Sequence, residues 1–387
     1  MNNQNYFNIL DFGSSKLRFS VFGGDLKLKY SASKSVEIEN NYPNKIEIFN
    51  DIIKKAEKKI SKHIEDIILT LDTTEMFVVQ FSLNKELNSK LNTKKVYQSL
   101  ILEVRQIINT FYNQYEIIHI IFDKCIIDKN TFYQLPQEIK EIDNIKVDFK
   151  LICYPKILLN KLRKNFNENN INISNFLCTS YIKSLSYLQN IDSENISFIE
   201  IGLKKTCLIS YEKKKLKIFQ SIPIGGFHIT QDISKIFKIT FEEAEKIKRS
   251  FYSSDTEFTY QNKNQNDTIS VNDILSKNIS IDLLKKVILF RIQEIMDLTY
   301  KESNKYNFEL NFKNSDLFFI GDGSLLFNNN SFHLKDKFEF NALNFYHEKD
   351  SQICNSCLIY YLNNHQIPSI NKKNQGLFEK FFNYFSK

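Results

Sequence analysis

Apolar and polar positions alternate with a two-residue period at two places in the chain, each time beyond an acid and a glycine. In FNILDFGSSKLRFSVF, residues 7–22, an apolar run ends at Asp11 and Gly13. Leu17, Phe19 and Val21 then alternate with Lys16, Arg18 and Ser20. In ISFIEIGLKKTCLISY, residues 196–211, the run ends at Glu200 and Gly202 and a return strand follows. Each segment predicts a β-hairpin. A third apolar run, Leu317 to Ile320, enters the turn Gly321-Asp322-Gly323-Ser324. Glycine at the carboxyl end of a buried strand is where an α/β sheet usually meets its ligand.

Helical periodicity marks three further stretches. In KITFEEAEKIKRSF, residues 238–251, Thr240 and Glu243 have capping-box spacing, acids fill the first turn and Lys246, Lys248 and Arg249 the last. Between Ile281 and Thr299, the spacing of Leu284, Ile288, Ile292 and Ile295 turns one face inward and leaves Lys285, Lys286 and Arg291 for a surface or a groove. The last stretch, GLFEKFFNYFSK, gathers Leu377, Phe378, Phe381, Phe382, Tyr384 and Phe385 on one helical face. That stripe has to be buried against the protein's own core, a partner or a membrane surface. The segment before it, Asn363 to Gln375, is polar and without apolar periodicity, and reads as a flexible tether.

A turn whose backbone N–H groups lie just beyond a carboxylate is a phosphate cradle with an acid placed to hold a hydrated metal ion. Asp11, Gly13, Ser14, Ser15 and Lys16 form one such set, with Asp11 the metal candidate through water. Glu200, Gly202 and Thr206 form the second, and Gly321, Gly323 and Ser324 a third loop. Glu245 and Lys248 read either as a surface i,i+3 ion pair or as a polar pair gripping a ribose and a base edge.

Composition narrows the field. The 387 residues suffice for two or more domains. The net charge of +7 is spread along the chain rather than gathered in a patch, which argues against nucleic acid but suits an anionic lipid surface. No signal peptide and no membrane-spanning run is expected. The six cysteines lack framework spacing and read as reduced thiols. His347, Cys354, Cys357 and His365 have a metal-like grouping, but SQICNSCLIYYL reads more simply as a buried helix using cysteine as a small apolar residue.

Taken together, the paired hairpins, the glycine turn and the stretch FQSIPIGGFHITQDISKIFKITFEEAEKIKRSF resemble the actin, Hsp70 and sugar-kinase superfamily, and within it the FtsA family of bacterial cell-division proteins. The family has Ile-Pro-Leu-Gly-Gly where this chain has Ile222 to Gly226, and Phe-Glu-Glu-Ala-Glu beginning at Phe241. The likeness runs from about Asn8 to the end, faint between roughly 25 and 115.

The resemblance implies an α/β, actin-like two-lobed fold with a nucleotide cleft closing over ATP with Mg, to which Gly225 and Gly226 add contacts. Residues 1–82 and 337–362 would form the first lobe's base and 83–160 the FtsA-type subdomain. Residues 161–228 and 305–336 would form the second lobe, 229–304 its upper subdomain, 363–375 a linker, and 376–387 an amphipathic membrane helix through Leu377, Phe378, Phe381, Phe382 and Phe385.

The function implied is an adaptor in cell division and septum formation that tethers FtsZ filaments to the cytoplasmic face of the bacterial inner membrane at the division site. Its partners would be the FtsZ C-terminal tail, met by Lys286 and Arg291, other division proteins, and further copies in actin-like polymers. The alternatives are a sugar kinase of the same superfamily or a PilM-like scaffold.

The chain also departs from the family. Its second phosphate loop reads Gly202-Leu203-Lys204-Lys205 where three glycines are usual, and Asp322 replaces a glycine in the third. A Cβ at Leu203 would stand where a γ-phosphate belongs. Weak binding of nucleotide, and at most weak ATPase activity, is therefore expected.

Overall fold

A computed structural model describes residues 6–36, 42–86, 93–127, 129–133, 144–253, 279–304, 315–328, 341–346 and 350–365. The chain divides into two units, residues 1–191 with 349–387, and residues 192–348.

The first unit opens with β1 (Phe7–Phe12), β2 (Lys16–Phe22), β3 (Leu28–Ser35), α1 (Tyr42–Ile60) and β4 (Asp66–Leu71). There follow β5 (Phe77–Glu86), α2 (Thr93–Phe111), β6 (Tyr115–Ile127), β7 (Asn130–Phe132) and β8 (Asn144–Pro155), then α3 (Lys156–Asn167), β9 (Asn172–Cys178) and α4 (Thr179–Leu188). The second unit holds β10 (Asn195–Ile201), β11 (Thr206–Glu212), β12 (Lys215–Ile222), α5 (Gly226–Phe237), α6 (Phe241–Ser253) and α7 (Ile281–Asn304). It closes with β13 (Asp316–Ile320), the short helix α8 (Leu325–Asn328) and β14 (Ala342–Phe345), and α9 (Asp350–His365) returns to the first unit.

The repeated hairpins are the starts of two sheets with one topology. The orders are β3-β2-β1-β4-β9 and β12-β11-β10-β13-β14. In both, the first strand runs antiparallel to the second and parallel to the fourth. The fifth lies parallel to the fourth. A separate antiparallel sheet, β5-β8-β6-β7, packs on α2.

Both faces of the first sheet are covered. On one, Phe49 of α1 meets Phe19 with ring centroids 5.5 Å apart and Phe166 of α3 at 5.3 Å. On the other, Ile353, Cys354, Cys357 and Leu358 of α9 cluster with Ile9, Phe22 and Ile68. The polar positions of β2 are therefore internal, and Arg18 and Ser20 are buried rather than solvent-facing as simple alternation suggests. Cys354 and Cys357 are buried free thiols in a helix, as the simpler reading has it. No metal-holding group of three occurs among the described residues, and His347 lies outside them.

In the second unit, Leu284, Ile288, Ile292 and Ile295 of α7 point inward against Ile229 and Ile233 of α5 and Ala244 and Ile247 of α6. The capping box forms as spaced. Thr240 N–H donates to Glu243 Oε2 at 3.0 Å, and Glu243 N–H donates to Thr240 Oγ1 at 3.2 Å.

Several expected boundaries move. Residues 161–191 belong with the first unit, because β9 pairs with β4 and not with the second sheet. β14, placed by sequence in the first lobe, pairs with β13. The small subdomain's sheet starts at Phe77 and ends at Pro155, and α3 joins the first unit's aromatic core. Asn363 to His365, assigned to the tether, complete α9. The apolar stripe at 377–385 lies outside the described residues.

Truncating Ile288, fully buried in the second unit's core, to alanine should cost about 2–5 kcal/mol. A denaturant titration would show this as a lower midpoint. Lys286→Glu, on the exposed side of the same helix, should move the midpoint by no more than about 0.5 kcal/mol.

Candidate functional site

The first hairpin turns on Gly13, where a Cβ would stand 2.5 Å from the Lys16 carbonyl oxygen. Lys45 Nζ donates to the Gly13 carbonyl at 3.1 Å, and Val36 N–H donates to the Ser15 carbonyl at 2.8 Å. Ser14 is exposed, and Ser15 and Lys16 are half-buried.

Asp11 sits directly across the ladder from Arg18. Its Oδ2 accepts from Arg18 Nη1 at 2.9 Å. Its Oδ1 lies 3.2 Å from the Thr70 hydroxyl and 3.3 Å from the Thr179 hydroxyl, within reach of either as donor. Burial pushes the Asp11 carboxyl above its ordinary value, against the pull of Arg18 and Lys183. The guanidinium reaches on to α9, where Arg18 Nε donates to Asp350 Oδ1 at 2.8 Å. Lys16 Nζ donates to both oxygens of Asp350 at 3.1 Å, and Ser33 Oγ donates at 2.7 Å. Partial burial works against the Asp350 carboxylate, yet hydrogen bonds from Ser33, Arg18 and Lys16 hold its pKa down to about 2.

These contacts decide the fit of a magnesium ion at Asp11. Such an ion keeps several waters and wants oxygen ligands turned toward it. Here one carboxylate oxygen faces a guanidinium and the other two hydroxyls, and the second carboxylate, Asp350, faces Arg18 and Lys16. The donor set does not fit the ion, contrary to the expectation that Asp11 holds it through water.

In the second unit the sequence-predicted residues come together. The turn closes through Gly202 N–H to the Lys205 carbonyl at 2.9 Å. Gly226 N–H and Phe227 N–H, the first amides of α5, donate to the carbonyls of Gly202 at 3.0 Å and Leu203 at 2.7 Å. A Cβ on Gly225 would stand 2.4 Å from the Gly202 oxygen, so the approach requires glycine. Thr206 Oγ1 donates to the Ile224 carbonyl at 2.8 Å. Gly321 has φ +85°, and a Cβ there would lie 2.9 Å from the Ile201 oxygen. Ser324 Oγ donates to the Gly321 carbonyl at 2.7 Å. The helix N-terminus that could receive an anion is thus capped by the protein's own loop.

Glu245 and Lys248 form the i,i+3 ion pair that the spacing offers, but inside the unit rather than on its surface. The two lie 2.6 Å apart on α6, Lys248 buried and Glu245 half-buried, and Glu245 Oε2 accepts from Thr230 Oγ1 of α5 at 2.6 Å. Lys248 Nζ also donates to the Gly226 carbonyl at 3.0 Å and Thr230 Oγ1 at 2.7 Å. Burial raises the Glu245 carboxyl, but Lys248, Thr230 and Arg249 together hold it below the ordinary range. Arg291, expected to be open to a partner, instead grips Asp232 of α5 through two bonds, at 2.6 and 2.9 Å. Lys286 stays exposed.

Sequence reasoning missed Asp350, Thr70 and Thr179, which no local motif marks. It had Arg18 in view, as one polar member of an alternating strand.

The chain has known relatives. A family model described as Cell division protein FtsA matches residues 198–371. A protein named Cell division protein FtsA from Buchnera aphidicola subsp. Baizongia pistaciae is 26% identical over 319 residues, 76% of this chain and 71% of that one. Its namesake from Staphylococcus epidermidis is 21% identical over 283 residues, and the match spans 59% of its length. Among solved structures, the PilM-PilN type IV pilus biogenesis complex aligns with TM-score 0.60 and 13% identity, covering 90% of this chain and 89% of the other. That likeness shows the fold, an actin-like one.

Since the folded pKa of Asp350 lies below the usual ~3.9, its contribution is full above about pH 4 and disappears as pH falls toward 2. Asp350→Asn should therefore melt at a lower temperature than the parent at pH 5–7. The two curves should converge between pH 4 and pH 2. A gap that stays constant across this range would remove Asp350 from the ion-pair network.

Proposed function

We infer, the chain being a divergent relative of the FtsA cell-division proteins with their actin-like fold, that it tethers filaments of the tubulin-like protein FtsZ to the cytoplasmic membrane at the division site. The observation that carries the scaffold reading is that Asp11 and the first amides of α5 both meet partners within the protein. A kinase of this fold needs a free carboxylate base and an open phosphate loop, whereas Asp11 is paired with Arg18 and the amides at the start of α5 meet loop carbonyls. The likeness to the pilus protein concerns fold alone and adds no separate reading.

Nucleotide is a secondary part of this proposal. Gly202, Gly225, Gly226, Gly321, Gly323 and Ser324 converge in the second unit, with Glu200 beneath them and Glu245 and Lys248 behind α5. They would offer ATP a weak wall rather than a cradle. Association with further copies and with other division proteins belongs to the same proposal.

Membrane attachment rests on the sequence of the last twelve residues, since no helix among the described residues is long and apolar enough to cross a bilayer. Burying a large apolar side chain is worth about 1.5–3 kcal/mol when complete, and ordering the segment offsets much of that. A single segment should bind reversibly, and firm attachment should need several on one polymer. Vesicles of anionic lipid should co-sediment FtsZ filaments only when this protein is added. Phe381→Glu with Phe385→Glu should abolish that while leaving the melting curve unchanged. Unfolding of the double variant would assign the stripe to the core.

For the FtsZ tail, a short and partly acidic peptide, the exposed Lys286 is the better handle. Lys286→Glu should weaken tail binding and flatten its salt dependence without lowering stability. Arg291→Gln, by contrast, should lower the melting temperature because it releases Asp232. Equal tail affinity for parent and Lys286→Glu would take this face of α7 out of the interface.

A further inference from the structure

We propose that Arg18 is the resident cation of the first hairpin, standing where this architecture would otherwise hold a hydrated divalent ion, so that the Asp11 site is metal-free by construction. The proposal goes beyond the tethering role and holds whether or not the chain binds nucleotide.

Four observations carry it. The pairing is fixed by register, because Asp11 and Arg18 are direct cross-strand partners rather than two long side chains that happen to meet. It is also enclosed, with the Arg18 and Asp11 side chains only 9% and 3% exposed, which leaves no room for the waters a magnesium ion retains. An arginine cannot surrender its charge in a protein, so the cation is permanent.

The fourth observation is the second copy of the hairpin. There Glu200 occupies the place of Asp11, and its cross-strand partner is Cys207, not a cation. A basic group on that turn is a lysine, Lys205, whose Nζ lies 2.8 Å from Cys207 Sγ. The topology thus accommodates a buried acid without an arginine opposite it. Arg18 is a feature of the first hairpin, not a demand of the fold. There it bridges Asp11 to Asp350 and so fastens α9 to β1 and β2.

Removing the guanidinium should leave Asp11 and Asp350 with a cation vacancy between them. The test uses manganese(II) alone, with no nucleotide, and the full-length chain. Free manganese is read by electron paramagnetic resonance, and stability by thermal melting in EDTA and in manganese. The parent should melt identically in both, and parent and Asp11→Asn should bind the same amount of manganese. Arg18→Met should melt several degrees lower in EDTA and recover in manganese, and Arg18→Met with Asp11→Asn should lose that recovery.

A manganese site in the parent that Asp11→Asn abolishes would overturn the proposal. So would an Arg18→Met protein that manganese does not stabilise. Should Arg18→Met fail to fold in EDTA, the comparison of parent with Asp11→Asn still decides. Failure of FtsZ to co-sediment with vesicles would count against the tethering role without touching this result.

Discussion

A carboxylate at the centre of a sheet covered on both faces has to be neutralised from within, and Arg18 does this for Asp11. Desolvating an isolated carboxylate is prohibitive, so buried charges occur paired and hydrogen-bonded. Asp11 meets both conditions through Arg18, Thr70 and Thr179, which come from β2, β4 and the start of α4. The hydroxyls of Thr70 and Thr179 stand 2.6 Å apart, so one donates to the other and the second donates to Asp11. The charge therefore links three neighbouring strands and two helices, α4 and, through Asp350, α9. Loss of one partner would leave a buried charge uncompensated, which is costlier than losing an ordinary contact.

The second unit repeats the topology and satisfies it differently. Its hairpin turn binds to the start of α5 through backbone, carbonyls of Gly202 and Leu203 taking the first amides, while Lys204 Nζ lies over the Phe227 ring at 5.8 Å. Such contacts leave no room for a Cβ at Gly225. An ion pair off the sheet, Glu245 with Lys248, locks α6 against α5. Arg291 performs the same service between α7 and α5. In both units, residues with the chemistry of a ligand site serve to hold elements together.

What could be read from sequence was local. Two hairpins, the glycine turn, the capping box at Thr240 and the inward face of α7 each arise from periodicity within about twenty residues, and the structure has all of them. What could not be read depends on separation along the chain. Asp350 lies 334 residues from Lys16, and no spacing rule joins them. Arg18 looked outward because alternation assumes one wet face, and α9 covers that face. The allegiance of β9 was missed for a related reason, since a parallel strand can join whichever sheet its crossover reaches.

The covering of that face makes α9 the meeting point of the first unit. Its first residue, Asp350, receives Arg18, Lys16 and Ser33. Its middle packs Cys354 and Cys357 under β1 and β2, with Cys354 Sγ 3.8 Å from the carbonyl oxygens of Ile9 and Arg18. Near its end, Tyr360 bonds His119 of the small sheet at 2.8 Å. The other ring nitrogen of His119 accepts from Cys178 N–H, also at 2.8 Å, which fixes the neutral ring with its proton toward Tyr360. The segment beyond residue 365 is covalently continuous with this helix. A pull on that segment is met first by the histidine bridge, then by the buried cysteine stripe and the ion-paired helix start, all within the first unit.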